Sequence, residues 1–327
     1  MGGELLKIFL TGATGFIGSR VAERLAKRGD HVKALVRTPD KAGHLRDMGC
    51  ELVQGSLSDE HQMQAAMVGC DAVIHGAAVY SVGIADKDRQ AMFDANVRGT
   101  ERVLRAALQT EVPKVVYIST VNAFGNTEGK VVDETHEHHE RYVSYYDETK
   151  HKAHRIAKIL IEEQGLPCVI VQPGLVYGPG DTSESGRLFR LLAQRRMPAK
   201  LFPETGVTAS YIDDVADGIV AALDKGTVGH AYVLGGEPTT MGAIFDLITD
   251  LQGRKPLRFS VPVAMLRATA PAARFLNPMM GFPPNVKEQI SAAHDVTYWA
   301  SSDKAIRELG YNPRPLKEGI KELLASL

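Results

Sequence analysis

The 327-residue sequence lacks the features that mark membrane-spanning or disulfide-stabilised proteins. It contains only three cysteines, Cys50, Cys70 and Cys168, without the spacing of a metal site or a disulfide framework. We interpret them as small buried residues in a reducing compartment. No apolar run approaches the ~20 residues that span a bilayer, and the N-terminus lacks the pattern of a signal peptide. These absences predict a cytoplasmic protein.

An excess of charge of one sign is also missing. The formal net charge is −1 and the isoelectric point is near 6.8, so the sequence has no basic footprint for nucleic acid or for an acidic membrane surface. The composition, 44% hydrophobic and 24% charged, is that of an ordinary globular protein. The sequence therefore indicates a small-molecule partner, with no nucleic acid and no membrane. The length permits one large domain or two closely joined ones.

A glycine-rich turn near the N-terminus separates an apolar strand from a helix. Residues 5–10 form the apolar run, Gly12, Gly15 and Gly18 follow at three-residue spacing, and apolar residues then recur with a helical period over 17–25. Such a turn directs the free N–H groups of the helix start toward an anion. Its glycines allow the backbone to approach a pyrophosphate closely. The turn predicts a phosphate-binding site.

Strands and helices alternate along the first half of the chain. Six nearly continuous apolar runs, which are typical of buried parallel strands, alternate with helical patterns that include residues 88–108 and 145–164. We therefore predict an α/β fold with a doubly wound parallel sheet of the Rossmann type. Residues 1–172 would form the dinucleotide-binding domain. Residues 173–327 would form a smaller α/β substrate-binding region, interwoven with the first.

Tyr146 and Lys150 form the clearest candidate pair for chemistry. Their four-residue spacing places both side chains on one helix face. A tyrosine is a poor acid–base group at pH 7, but a nearby ammonium lowers its pKa. The pair could then move a proton to or from an alcohol oxygen.

Together with the glycine turn, this pair belongs to a set of motifs that resembles the extended short-chain dehydrogenase/reductase family over nearly the whole chain. The matching segments are TGATGFIG (11–18), GSLSD (55–59), HGAA (75–78), NVRGT (96–100), STVNAFG (119–125), YDETK (146–150), QPGLVYGPGD (172–181), YIDDVADGI (211–219) and SSDKAIRELGYNPRPLKEGI (301–320). The pattern of residues 172–179 is most similar to the branch of dihydroflavonol reductase and cinnamoyl-CoA reductase, which reduces ketones or aldehydes with NADPH.

The resemblance implies a catalytic set of Thr120, Tyr146 and Lys150. Tyr146 would protonate the substrate oxygen, Lys150 would hold the nicotinamide ribose and lower the tyrosine pKa, and Thr120 would hydrogen-bond the substrate oxygen. Ser119 is the alternative to Thr120. Asn96 would have a supporting role. The implied cofactor contacts are Gly12, Thr14, Gly15, Phe16, Ile17, Ser56, Leu57, Ala77, Ala78, Tyr146, Lys150, Pro173 and Val176.

Arg37, at the end of the second predicted strand, indicates which cofactor binds. An acidic residue there would bind the ribose 2′-hydroxyl of NAD, whereas arginine suits the 2′-phosphate of NADP. No Asp or Glu occupies positions 36–38, and Lys41 follows. We therefore expect NADP, with NAD as the alternative.

Two departures from the family pattern argue against a nucleotide-sugar substrate. Leu175 occupies the position of an asparagine that is usual in the enzymes acting on nucleotide sugars, and residues 206–210 lack an arginine that grips the nucleotide phosphate. We predict a carbonyl reductase or alcohol dehydrogenase. The alternatives are an epimerase or dehydratase with tightly bound NAD, and a non-catalytic redox sensor. The family resemblance also implies a homodimer.

Two further segments have competing interpretations. The histidine-rich stretch 136–140 lacks the spacing of a metal-binding helix, so we interpret it as a solvated loop and predict no metal. Residues 262–284 are rich in methionine and phenylalanine. They could form the core of a small second domain or an apolar lid over the substrate, and a lid would suit an apolar or aromatic substrate.

Overall fold

Ten strands form two sheets in the computed structural model, which describes residues 5–268 and 284–327. In chain order the strands are β1 (Lys7–Thr11), β2 (His31–Val36), β3 (Glu51–Gln54), β4 (Ala72–His75), β5 (Val115–Ile118), β6 (Cys168–Pro173), β7 (Leu175–Tyr177), β8 (Gly206–Tyr211), β9 (Ala231–Leu234) and β10 (Pro238–Thr240). The larger sheet has the order β3-β2-β1-β4-β5-β6-β9, with every pair parallel. The predicted doubly wound sheet is confirmed.

Helices pack on both faces of this sheet. The α-helices with both ends among the described residues are α1 (Phe16–Arg28), α2 (Gly43–Asp47), α3 (Glu60–Met67), α4 (Arg89–Phe93), α5 (Gly99–Gln109), α6 (Tyr145–Gln164), α7 (Glu184–Ala193), α8 (Ile212–Lys225), α9 (Met241–Leu251), α10 (Val286–Ala293), α11 (Asp303–Leu309) and α12 (Leu316–Ala325). Short 3₁₀ helices span Pro39–Lys41, Asp86–Asp88 and Val121–Phe124.

The strand sequences explain the double layer. Each central strand is apolar on both sides, as in the fully buried Val115–Ile118, so both faces of the sheet need helical cover. One core contains apolar residues of α1, α8 and α11, and the other contains those of α3, α5 and α6. The strand order reverses between β1 and β4, and ligands bind at the carboxyl ends of strands beside such a reversal.

The smaller sheet lies in the second half of the chain. β8 pairs in parallel with β7 and antiparallel with β10, and a third apolar core joins it to α7, α9 and α12. β9 returns to the larger sheet, where it pairs with β6. The chain therefore crosses between the sheets after residue 173, and we keep the boundary between 172 and 173 as a proposal for the domain organisation.

The helix predicted over 88–108 is interrupted. A π-helical turn, Asp94–Arg98, separates α4 from α5. The interruption places Asn96, which is 1% exposed, against the backbone of Val79. No helix in the described ranges is long and apolar enough to cross a membrane.

Candidate active site

The glycine turn after β1 fits tightly against the end of β4. Gly12 has a φ of +79°, and a Cβ there would lie 2.7 Å from the backbone nitrogen of Ala77. A Cβ on Gly18 would lie 2.1 Å from the carbonyl oxygen of Gly12. Both positions require glycine because a side chain would separate the turn, the helix and the neighbouring strand.

The same turn leaves the start of α1 open to an anion. Gly15 is the N-cap and provides no side-chain hydrogen bond, and the first turn of the helix has no acidic residue. Thr14 and Gly15 are exposed. The free N–H groups and the helix dipole thus favour a negatively charged group here, so the residues fit the pyrophosphate of a dinucleotide.

A buried histidine holds the end of β4 beside this turn. The ring nitrogens of His75 lie 2.7 Å from Thr11 Oγ1 and 3.0 Å from Thr100 Oγ1, and Ala77 N donates to Thr11 Oγ1 at 3.3 Å. Burial lowers the pKa of His75 to about 3, so the ring is neutral and structural. These contacts fix the backbone that carries Ala77 and Ala78.

The residues predicted to contact the adenosine end lie at the carboxyl ends of β2 and β3. Arg37 and Lys41 are exposed, while Ser56 and Leu57 are half-buried. Leu57 also belongs to the core beneath α5, because it packs where a Cβ on Gly99 would stand, 2.8 Å from its Cδ1. The structure places all four at the edge predicted for them.

Helix α6 presents Tyr146 and Lys150 to the same crevice. Ser144 caps the helix by accepting from Asp147 N at 3.1 Å. Lys150 is 3% exposed, donates to the carbonyl oxygen of Ile118 at 3.2 Å, and lies over the ring of Tyr117. Burial lowers the pKa of Lys150 to about 8, so the ammonium form still predominates at neutral pH.

Thr120 follows β5 and faces the phenol of Tyr146. It caps the 3₁₀ helix Val121–Phe124, its Oγ1 accepting from Asn122 N at 3.2 Å. Burial raises the pKa of Tyr146 well above its ordinary value, and the hydrogen bond to Thr120 opposes that rise. The lowered tyrosine pKa that we expected is therefore wrong for this environment, because burial and the neighbouring Tyr80, Asp147 and Tyr117 all raise the pKa. The alternative residue, Ser119, has its Oγ 3.0 Å from Nδ1 of His154.

The glycine turn, Thr120, Tyr146 and Lys150 line one cavity of about 540 Å³. The cavity runs from the glycine turn to residues of the second half of the chain. Ten of the predicted site residues line it, namely Gly12, Gly15, Phe16, Ile17, Ala78, Thr120, Tyr146, Lys150, Pro173 and Val176. Thr14, Arg37, Lys41, Ser56, Leu57 and Ala77 lie outside that lining. The far end of the cavity is bounded by residues of α7, β8, α9 and α10.

Several lining residues were not predicted from the sequence. The ring of Tyr80 meets that of Tyr146 edge-on at 4.8 Å between centroids. Asn122, Tyr298, Asp181 and Glu184 also line the cavity. Only Asn122 and Asp181 fall inside motifs that we recognised, because the others reach the cavity through long-range packing.

Part of the histidine-rich segment packs against α6, while Glu137, His139 and Glu140 are exposed. The ring of His138 lies 4.1 Å from that of His151 and stacks on Tyr142 at 4.9 Å, measured between centroids. Burial lowers the pKa of His138 to about 4. Across the described part of the chain, no group of three or more His, Cys, Asp or Glu residues could hold a metal ion. Most of the predicted lid, residues 269–283, lies outside the described residues.

A doubly wound sheet with a glycine turn after β1 and a Tyr–Lys pair facing the crevice defines a dinucleotide-dependent enzyme of the short-chain dehydrogenase class. The sequence pattern of the NAD dependent epimerase/dehydratase family matches residues 8–235, and the chain belongs to that family. The resemblance to extended short-chain dehydrogenases and the prediction of an NAD(P)-dependent oxidoreductase are thereby confirmed at the level of class.

Curated relatives match along almost the whole chain. A Synechocystis protein provisionally named dihydroflavonol 4-reductase is 29% identical over 323 residues, covering 96% of this chain and 92% of its own. The 2-alkyl-3-oxoalkanoate reductase of Shewanella oneidensis is 30% identical over 345 residues, covering 98% of this chain and 86% of its own.

Solved structures share the fold. The crystal structure of gox2253 has a TM-score of 0.82 and 33% identity, covering 98% of this chain and 97% of its own. UDP-glucuronic acid 4-epimerase from Bacillus cereus, in complex with UDP-glucuronic acid and NAD, has a TM-score of 0.77 and 23% identity, covering 98% of both chains.

Proposed function

We propose that this protein is an NADP-dependent carbonyl reductase that also oxidises the corresponding alcohol. The observation that carries the proposal is the meeting of Thr120, Tyr146 and Lys150 on one wall of a cavity that continues to the glycine turn. A bound nicotinamide cofactor supplies the hydride for this chemistry. The chain's own residues bind the carbonyl, supply the proton and exclude water.

Tyr146 is the general acid of the proposal. Its buried phenol, with a raised pKa, is protonated at neutral pH and can transfer its proton to a substrate oxygen that gains charge. Thr120 lies beside it and hydrogen-bonds the same oxygen. The Lys150 ammonium stabilises the resulting phenolate and holds the cofactor ribose.

Arg37 supports NADP as the cofactor. Its guanidinium is exposed at the end of β2, and it makes no hydrogen bond or ion pair with the described residues. A free guanidinium suits bidentate recognition of a 2′-phosphate. Lys41, exposed at the end of the short 3₁₀ helix four residues later, adds a second positive charge.

The far end of the cavity supports an apolar, uncharged substrate. Its lining includes Val82, Leu188, Leu201, Phe202, Val207 and Met241. Among the described lining residues, only Lys150, Asp181 and Glu184 are charged. Asp181 is 2% exposed, and its Oδ2 has no hydrogen-bond partner in the described part of the chain. An anionic substrate would meet two carboxylates here, whereas a hydrogen-bond donor would be accepted.

The test is an NADPH-consumption screen of ketones and aldehydes, run in parallel with NADH and with the variant Tyr146→Phe. We expect the variant to lose turnover by about 10²–10⁴-fold, with NADPH binding kept in a fluorescence titration. The screen includes methyl 4-acetylbenzoate and free 4-acetylbenzoate, which present the same ketone with and without a charge. We expect the ester to be preferred by roughly tenfold or more.

An epimerase or dehydratase is the competing function, supported by the range of chemistry in the family. It predicts NAD that co-purifies and no net consumption of NADPH with any carbonyl. That result, or undiminished turnover in the Tyr146→Phe variant, would overturn the reductase proposal. A protein that binds NADPH but turns over no substrate would instead favour the redox sensor.

We also infer a homodimer from the family resemblance, with contacts through the helical segments predicted over residues 88–108 and 145–164. Light scattering after size-exclusion chromatography measures the mass in solution directly. A monomer at micromolar concentration would contradict this assignment.

A further inference from the structure

A buried carboxylate lies directly behind the proposed catalytic residues. Asp147, the third residue of α6, is 1% exposed. Its Oδ1 accepts from Nδ2 of Asn122 at 2.9 Å, and its Oδ2 accepts from the hydroxyl of Tyr298 at 3.0 Å. The two partners come from the segment after β5 and from the segment between α10 and α11. One side chain therefore joins three separate parts of the chain.

The bond to Asp147 determines which way the Asn122 amide points. An ionised carboxylate only accepts hydrogen bonds, and an amide has a donor end and an acceptor end. With its nitrogen directed to Asp147, Asn122 presents Oδ1 to Thr120, whose Oγ1 lies 3.2 Å away. This bond, with the one from Asn122 N to the same Oγ1, holds the Thr120 hydroxyl in one rotamer beside the Tyr146 phenol.

The second partner of Asp147 forms part of the cavity wall. The phenol of Tyr298 lines the cavity, and its hydroxyl also lies 3.3 Å from the carbonyl oxygen of Ala292. Fixing this hydroxyl fixes the position of the ring that faces the substrate. The carboxylate thus acts on both the proton-transfer side and the substrate side of the cavity.

We propose that Asp147 is a positioning residue, which orients Thr120 through Asn122 and the cavity wall through Tyr298. The inference rests on the proposed function: Thr120 has one hydroxyl proton, which it gives to Asn122 Oδ1 in the free site and would turn toward a substrate oxygen, so the network contributes by fixing the position of Oγ1. The network needs an ionised Asp147, since a protonated carboxyl loses one of its acceptor oxygens and gains a donor.

The surroundings of Asp147 raise its pKa into the pH range in which enzyme activity can be measured. Burial raises its pKa to about 6, against the hydrogen bonds from Asn122, Tyr298 and Ser144, and the charge of Glu288 on α10 adds to the rise. Two other titratable groups face Asp147, namely Tyr146 on its own helix and Tyr80 in the loop after β4. The charge of Asp147 raises the pKa of both phenols. Both are neutral near pH 6, as Tyr298 is. Turnover should therefore fall as the pH drops through about 6.

The experiment compares the wild type with Asp147→Asn, measuring kcat and KM for ketone and NADPH from pH 5 to 9. Asparagine keeps one acceptor oxygen and has an N–H in place of the other, so it can no longer accept from both Asn122 and Tyr298. Either the Asn122 amide or the Tyr298 hydroxyl therefore has to turn. We expect kcat to fall about 10- to 100-fold, KM for NADPH to stay within about twofold, and the decline of kcat below pH 6 to disappear.

Matched variants separate positioning from damage to the fold. Glu148→Gln changes a neighbouring carboxylate that is paired with Lys152 and should keep both kcat and the acid decline. Tyr298→Phe removes one partner of Asp147, and Asn122→Ser removes the other. If Asp147→Asn does not fold, these two variants carry the test, since each should lower kcat and shift the acid decline.

The positioning role of Asp147 and the proposed reductase function are tested by different measurements. Turnover of a ketone by the wild type tests the reductase function, and the variants test only the role of Asp147. An Asp147→Asn enzyme with wild-type kcat, or one that retains the decline below pH 6, would overturn the positioning role. So would an unchanged kcat and pH profile in both partner variants.

Discussion

At the scale of single residues, our proposal of NADP as the cofactor depends mainly on Arg37. We expect Arg37→Ala to raise KM for NADPH by about 10- to 100-fold, because a charge-assisted pair to the 2′-phosphate is lost. KM for NADH should change by less than about threefold, since NADH carries no phosphate at that position. Steady-state kinetics with both cofactors and one ketone measure the difference.

Arg46 provides the control for this substitution. It is also exposed, on α2, and its replacement by alanine removes the same charge from the surface. Arg46→Ala should leave both KM values unchanged. Equal effects of Arg37→Ala on NADPH and NADH would contradict a phosphate contact and would restore NAD as the cofactor.

At the level of secondary-structure elements, the π-helical turn between α4 and α5 connects the loop after β4 to helix α6. Asn96 accepts from Val79 N at 2.7 Å and donates to Val79 O at 2.9 Å and to Thr149 Oγ1 at 3.0 Å. A π turn contains one more residue than a regular α-helical turn, and here that turn includes Asn96. Such turns often occur at functional sites. The turn thus braces the loop after β4 against α6.

Asn96→Ala should destabilise the protein by about 1–3 kcal/mol, because the buried Thr149 hydroxyl and the partly buried N–H and C=O groups of Val79 lose their partner. Urea denaturation followed by fluorescence measures the change. Gln90→Ala, which removes an exposed bond to Asp94 in the same helical run, should cost no more than about 0.5 kcal/mol. Equal costs for the two variants would show that the Asn96 bonds contribute nothing.

The elements differ in how well the sequence predicted them. The glycine turn and α6 were predicted because glycine spacing and the helical period are local signals, and helix 145–164 has the predicted bounds. The strands β7, β8 and β10 were missed. All six residues of β8 are buried, yet Gly206, Thr208, Ala209 and Ser210 give no apolar pattern. Their burial comes from neighbouring strands and helices, which a local pattern does not contain.

The same distinction applies to the candidate site. Tyr146 and Lys150 share a helix face, and Thr120 occupies a fixed place in its motif, so all three were predictable. Asp147 meets Asn122 and Tyr298 only after folding, across 25 and 151 positions of the chain. The tyrosine pKa was predicted in the wrong direction because the depth of burial cannot be read from a pattern.

At the scale of the whole molecule, the C-terminal third returns repeatedly to the larger sheet and its surroundings. Thr127 N donates to Thr297 O, and Gly235 N donates to Ser302 Oγ. Trp299 Nε1 donates to Thr239 O in the smaller sheet at 2.7 Å. The segment that carries Tyr298 is therefore held from both sides, and the substrate end of the cavity depends on contacts with the N-terminal half.

Arg314 anchors the C-terminal segment to helix α8 through Asp214. Its Nε and Nη2 reach both oxygens of Asp214 at 2.7–3.1 Å, its backbone N donates to the same carboxylate at 2.8 Å, and its guanidinium lies 4.0 Å from the ring centroid of Tyr211. Nη1 binds Glu322 on α12. The side chain of Asp214 is 7% exposed, so Arg314 pairs with a largely buried carboxylate.

Arg314→Met should therefore destabilise the protein by about 3–5 kcal/mol, because it leaves a buried carboxylate without its counter-charge. Arg307→Met, which removes an exposed pair with the adjacent Glu308, should cost less than about 1 kcal/mol. Chemical denaturation compares the two, and the double variant Asp214→Leu with Arg314→Met should recover part of the loss, since no unpaired charge is then buried. A loss in Arg314→Met no larger than that in Arg307→Met would contradict the account. If instead the double variant lost as much as the single one, packing of the guanidinium on Tyr211, and not the charge of Asp214, would hold the C-terminal segment in place.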